Sequence, residues 1–202
     1  MKLYYSPGAC SLASHIALHE TGLPFEIDKF IASTGKTAGG EDFMQINPKG
    51  YVPTIRLDDG NILTEGAAVL QYIADQNPAS GLAPEAGTME RYRLQEWLTF
   101  IGTEIHKTFS PLFNKAVSPE IKDRAHELLT KRLGYVETQL AKQPYLMGDS
   151  FTVADAYMFV VVSWSNRVGF ELAPFPRIKE YLARIAARPA VQAAMKAEGL
   201  IQ

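Results

Sequence analysis

Tyr5-Ser6-Pro7-Gly8-Ala9-Cys10-Ser11-Leu12 is the stretch on which the reading of this chain turns, because it carries the one cysteine among 202 residues. Before it, Lys2-Leu3-Tyr4-Tyr5 reads as a short strand of aliphatic and aromatic residues, stopped by Pro7-Gly8. After it, Leu12, His15, Ile16, Leu18 and His19 recur at helical spacing until Gly22, a stop signal. Cys10 is therefore expected where a loop enters the first turn of a helix, with Ser11 as a helix cap. Unpaired N–H groups and the positive end of the helix dipole favour an anion there, so a thiolate forms more easily than in a free cysteine. The alternative is a small buried apolar side chain without chemistry.

Outward from this stretch, residues 25–31 alternate apolar and polar side chains as a half-buried strand does. Strand, helix and strand make a βαβ unit, which implies parallel pairing with a right-handed crossover. Residues 32–40 are small and polar and read as a loop, and 41–46 as a short helix before Asn47-Pro48. Two apolar runs around Asp58-Asp59-Gly60-Asn61 signal a β-hairpin, and 67–74 a third helix. The expected order is β-α-β-α-β-β-α, followed by a linker rich in Pro, Gly and Ala.

Beyond the linker every pattern is helical. Leu94, Leu98, Ile101, Ile105, Phe109 and Leu112 mark one buried stripe on a single long helix. Ser118-Pro119-Glu120 announces the next, with Ile121, Ala125, Leu128, Leu129, Val136 and Leu140 as its stripe. Thr152-Val153-Ala154-Asp155 has the capping-box form and opens a helix apolar on all sides. Two shorter helices, over 178–188 and 190–198, end the chain. The division expected is 1–80, a linker at 81–87, and 88–202.

A formal net charge of -2 gives no reason to expect nucleic acid as a partner. A lone cysteine excludes an intramolecular disulfide framework and fits a reducing compartment. The N-terminus lacks the apolar run of a signal peptide, and the most apolar segment, 156–162, is far too short to span a bilayer. A cytoplasmic protein without membrane partners is expected.

Three places in the first unit are positioned to converge on one ligand: Cys10, Val52-Pro53 and Glu65-Gly66. A cis Val52–Pro53 bond would leave the backbone of Val52 free to pair with an extended peptide, whereas a trans proline at a strand edge would have no such role. Glu65 at a helix start, read alone, is a capping carboxylate before it is a ligand contact. Thr99, Thr103, His106 and Lys107 share one polar helix face, where His106 can lend a proton or hydrogen bond unless the face is simply solvated. No metal is expected, since His15 and His19 lack further ligands.

These motifs together resemble a known family. Cys10-Ser11-Leu12, Gly50-Tyr51-Val52-Pro53 and Thr64-Glu65-Gly66-Ala67 are similar to the thioredoxin-like half of a glutathione S-transferase. The helical remainder, with Phe151-Thr152-Val153-Ala154-Asp155-Ala156-Tyr157, is similar to the second half, and Gly102-Thr103-Glu104-Ile105-His106-Lys107 to the bacterial beta class. The fold implied is an α/β thioredoxin-like N-terminal domain followed by an all-α C-terminal domain. The resemblance implies glutathione as co-substrate, lying extended along the first domain. Val52 would pair with its cysteinyl part, Glu65 and Gly66 with its γ-glutamyl end, and Lys36 with its glycine carboxylate. Cys10 and His106 would lie near the sulfur, and Tyr51 and Ile105 join the binding set. A homodimer is implied, with Thr99, Thr103 and Glu104 reaching glutathione from the neighbouring subunit. Phe109, Phe113, Tyr157 and Trp164 would line an apolar cleft for the second substrate.

Three positions depart from the family pattern: Gly66 where Ser is common, Gly35-Lys36 where Lys stands one place earlier, and Thr99 for Asn. The activity implied is conjugation of reduced glutathione to small hydrophobic electrophiles, a detoxification reaction. One alternative is thiol–disulfide exchange or reductive dehalogenation through a Cys10 mixed disulfide. Another is an apolar-ligand sequestering protein without turnover.

Overall fold

The computed structural model describes residues Met1–Gln202. Its first part runs β1 (Lys2–Tyr5), α1 (Ser11–Thr21), β2 (Glu26–Ile31), β3 (Lys36–Thr37), α2 (Phe43–Ile46), β4 (Thr54–Arg56), β5 (Ile62–Thr64) and α3 (Gly66–Gln76). The five strands form one mixed sheet in the order β3-β2-β1-β4-β5. Apolar Leu3, Tyr4 and Tyr5 put β1 at its centre, all of them buried. β2 runs parallel to β1, with Leu3 opposite Ile27. β4 is antiparallel to β1, with Leu3 opposite Ile55, and β4 and β5 form the expected hairpin.

The loop expected at 32–40 contains one more strand. Lys36 and Thr37 pair antiparallel with Ile31 and Phe30, an edge too short and polar to show as a strand pattern. α1 ends where Gly22 takes the left-handed conformation, φ 66°, and returns its N–H to the carbonyl of His19.

The chain divides into two compact units, Met1–Ala83 with Arg188–Gln202, and Pro84–Ala187. The end of the chain is thus grouped with the first unit and not with the helices of 88–202. The reason is α10 (Pro189–Ala197), which packs on α1 and buries Val191 and Ala194. Arg188 grips Glu20 through two hydrogen bonds of 2.6 and 2.9 Å. Buried Glu198 accepts the N–H of Gly8 at 2.8 Å and faces His15 Nδ1 at 3.0 Å. His15 and His19, read above as a poor metal pair, stack on each other at 5.1 Å.

The second unit contains α4 (Met89–Phe100), a π-helical segment (Ile101–His106), α5 (Lys107–Phe113), α6 (Pro119–Leu140), α7 (Val153–Ser163), α8 (Ser165–Val168) and α9 (Pro176–Ala186). The expected single long helix is therefore interrupted by a π turn, although its stripe from Leu94 to Phe109 is buried as expected. On α6 the stripe starts one turn late. Ile121 is 53% exposed at the helix start, and buried Leu133 completes the stripe instead.

α7 is buried from Val153 to Val162, as an all-round apolar helix must be. Its capping box is present. Asp155 accepts from the N–H and hydroxyl of Thr152 at 2.8 and 2.9 Å, and from Leu146 N–H and the Tyr181 hydroxyl, both at 2.9 Å. Burial pushes the Asp155 carboxyl pKa up, and these four donors pull it back. No helix is long and apolar enough to cross a membrane.

Candidate active site

Cys10 occupies the N-cap position of α1, as its placement after Pro7-Gly8 requires. Ser11 does not cap the helix. Its hydroxyl closes the preceding loop, accepting Ser6 N–H at 3.1 Å and donating to Ser6 O at 3.3 Å. The Cys10 thiol points across the sheet end and donates to the carbonyl of Val52 at 3.3 Å. The Val52–Pro53 bond is cis. The N–H of Val52 donates to nothing within the chain, which leaves a main-chain donor beside the thiol.

Glu65 stands before α3 with φ 71°, and it is the one non-glycine residue in the chain with positive φ. A side chain in that conformation is strained, and such strain concentrates where a ligand is held. The reading of Glu65 as a helix cap is corrected: its carboxylate makes no cap hydrogen bond. Instead Oε1 accepts from Lys49 Nζ at 2.6 Å and from the Tyr51 hydroxyl at 2.8 Å. The carboxylate raises the pKa of both partners. Lys49 escaped the sequence reading, and the available signal was a cation two residues before Tyr51 in the same turn.

Gly66 begins α3, and an added Cβ would lie 3.9 Å from Pro53 Cγ, an ordinary contact, so space does not demand glycine there. Gly35 is different. It has φ 70° and donates to Ile31 O at 3.0 Å, a turn that a lysine would fill only with strain. The cation accordingly sits one residue on, exposed at Lys36 in β3.

In the second unit, His106 closes the π segment. Its Nδ1 lies 2.7 Å from the Tyr157 hydroxyl, and its ring packs edge-on against Trp164 at 4.8 Å. Burial first, and then neighbouring Lys107, lowers its pKa to about 4, so the ring is neutral near pH 7. Phe113 and Phe109 meet Trp164 at 5.6 and 6.1 Å, and Tyr157 joins these three through the His106 ring between it and Trp164. Their exposures differ: Phe109 is fully buried and backs the cluster, whereas Phe113 is 46% exposed.

Thr99 and Thr103 are exposed, and their hydroxyls donate to carbonyls one turn back. Glu104 is already engaged by Arg132 at 2.5 Å. Ile105 is a fully buried side chain and supports the π turn from inside. No group of three or more His, Cys, Asp or Glu side chains is arranged to hold a metal ion.

A thiol at a helix start, a cis-proline turn with an unpaired amide, and a strained acid before α3 lie in one unit. Family models describe both halves of the chain. Residues 8–76 match the glutathione S-transferase N-terminal domain, and residues 100–189 the C-terminal domain. Glutathione S-transferase GstA of Escherichia coli O157:H7 is 44% identical over 99% of this chain and 100% of its own. The chain therefore belongs to the glutathione S-transferase family and is a transferase. Within that family its likeness is to the bacterial beta class. The beta-class enzyme of Sphingomonas chungbukensis superposes with TM-score 0.96 at 48% identity, each chain covered completely. A sphingomonad glutathione S-transferase solved with glutathione gives TM-score 0.96 at 51% identity, again over both whole chains.

Proposed function

We propose that this enzyme conjugates reduced glutathione to small apolar electrophiles in a reducing, cytoplasmic setting, as a detoxifying homodimer. The observation that carries the reading is the Cys10 thiol 3.3 Å from the Val52 carbonyl, with the Val52 N–H unpaired beside it. A tripeptide laid along that edge exchanges main-chain hydrogen bonds with Val52 and brings its own sulfur to the start of α1. Glu65, held by Lys49 and Tyr51, takes the γ-glutamyl ammonium, with Gly66 N–H on the carboxylate of the same residue. Exposed Lys36 takes the glycine carboxylate.

The helix dipole of α1 and a donor from Cys10 favour the glutathione thiolate, and the neutral His106 ring donates one further hydrogen bond. The thiolate attacks the electrophilic carbon, a C–S bond forms, and the leaving group departs with the bonding pair. Because the nucleophile is glutathione, Cys10→Ala retains conjugation. Phe113, Tyr157 and Trp164 supply the apolar surface for the electrophile, backed by Phe109. Thr99, Thr103 and Glu104 approach glutathione in the partner subunit, with Ile105 packed beneath them. Light scattering reads the dimer directly.

A second reading rests on the half-buried thiol itself. Cys10 thiolate attacks a glutathione mixed disulfide, releases the other thiol, and becomes glutathionylated. A second glutathione then displaces it as oxidised glutathione. Intact mass after exposure to oxidised glutathione tests this: no adduct on Cys10 rejects the redox route. Calorimetry with reduced glutathione tests the first reading. Saturable binding supports it, and folded protein without affinity overturns it.

A further inference from the structure

We infer that Tyr157 sets the tautomer of His106: its phenol donates to Nδ1 and leaves the ring proton on Nε2, facing outward as the donor. The inference rests on the reading of His106 as a hydrogen-bond donor toward the glutathione sulfur. The two groups meet at 2.7 Å, and that bond has two polarities. In one, Nδ1–H donates to the phenol oxygen. In the other, the phenol O–H donates to the Nδ1 lone pair. A phenol is a far stronger acid than a neutral imidazole N–H, and an imidazole nitrogen is a far better base than a phenol oxygen, so the second is favoured.

The surroundings hold this arrangement in place. The ring is neutral, because burial depresses its pKa to about 4, so only one nitrogen carries a proton. Trp164 at 4.8 Å and the Tyr157 ring at 5.8 Å meet the imidazole near edge-on and hold its plane, and a ring flip that put Cδ2 in the place of Nδ1 would lose the 2.7 Å bond to the phenol. Tyr157 is itself 6% exposed within the buried helix α7. Nε2 makes no hydrogen bond within the chain, so its proton is available. Which nitrogen of a histidine bears the proton is set by the bond its other nitrogen makes. Tyr157 is thus a positioning residue rather than only an apolar wall.

Long-range proton–nitrogen spectra of nitrogen-15 histidine-labelled protein near neutral pH read the tautomer directly, with His106→Gln assigning the signal. Wild type should show an unprotonated Nδ1 and a protonated Nε2, and Tyr157→Phe a mixed pattern. In that variant kcat for conjugation should fall about five- to tenfold, with KM for glutathione within about twofold, the scale of one lost orienting hydrogen bond. His106→Gln, whose amide nitrogen stands where Nε2 stands, should retain more kcat than His106→Asn, whose amide reaches only the Nδ1 position. A proton on Nδ1 in wild type, or an unchanged tautomer in Tyr157→Phe, overturns the inference. If the tautomer behaves as stated while His106→Leu conjugates at the wild-type rate, the tautomer stands and the donor reading of His106 falls.

Discussion

Asp155 at the start of α7 and Glu65 at the start of α3 are both acids at a helix N-terminus, each just after a threonine or within three residues of one. Asp155 is fully buried and satisfied by four donors from its own unit. Glu65 has positive φ, caps nothing, and holds a half-exposed carboxylate between Lys49 and Tyr51. The first acid is placed for stability. The second sits in a conformation that costs stability, with its half-exposed carboxylate held by Lys49 and Tyr51 instead of by the helix. Acidic character at a helix start therefore does not by itself mark a cap, whereas the backbone conformation separates these two acids.

The contrast has measurable consequences. Asp155→Ala strands buried donors on Thr152, Leu146 and Tyr181 and should lower unfolding free energy by about 4 kcal/mol, read from urea midpoints. Near-wild-type stability in that variant would erase the distinction. Acid should weaken the same unit next. Unfolded His106 takes up a proton around its ordinary 6.5, while the folded ring resists until about 4. The unfolded chain binds the proton first, so stability falls as pH drops through that window, by about 3 kcal/mol at its lower end. His106→Gln should flatten this part of the pH profile, and an unaltered slope would count against it.

At the other acid the signs reverse. Glu65→Gly should leave stability unchanged or raise it by up to about 1 kcal/mol through relief of strain. The same change should weaken glutathione binding at least about tenfold by calorimetry, as loss of a charge-assisted contact does. Unfolding of Glu65→Gly as severe as that of Asp155→Ala would make both acids structural. Smallest of all, Tyr51→Phe should shift stability by less than about 0.5 kcal/mol, as exposed substitutions do. Its glutathione affinity should drop about threefold, the scale of one exposed positioning hydrogen bond to the Glu65 carboxylate.

Most of the fold and part of the candidate site were legible in the residue order. β1, α1 and the β4–β5 hairpin declare themselves through periodicity and stop signals. Cys10 declares itself as the lone thiol between a turn signal and a helix, and Pro53 as a proline opening a strand, whereas the positive φ of Glu65 does not show in its residue type. The remainder depends on side chains meeting across distant segments. Lys49 joins Glu65 only once the hairpin has folded, and Tyr157 reads only as a cleft wall until its hydroxyl is found against His106. The π turn at Ile101–His106 preserves the apolar stripe around it, so no break in periodicity betrays it. Lys36 and Thr37 are too few to alternate.

The grouping of Arg188–Gln202 with the first unit bears on biosynthesis. Synthesis proceeds from the amino end, and domains commonly fold as they emerge. Here the clasp of Arg188 on Glu20, and the seat that Glu198 gives Gly8 two residues before the thiol, come from a segment made after the whole of Pro84–Ala187. The first-made unit therefore stays unfinished while the intervening helices are synthesised.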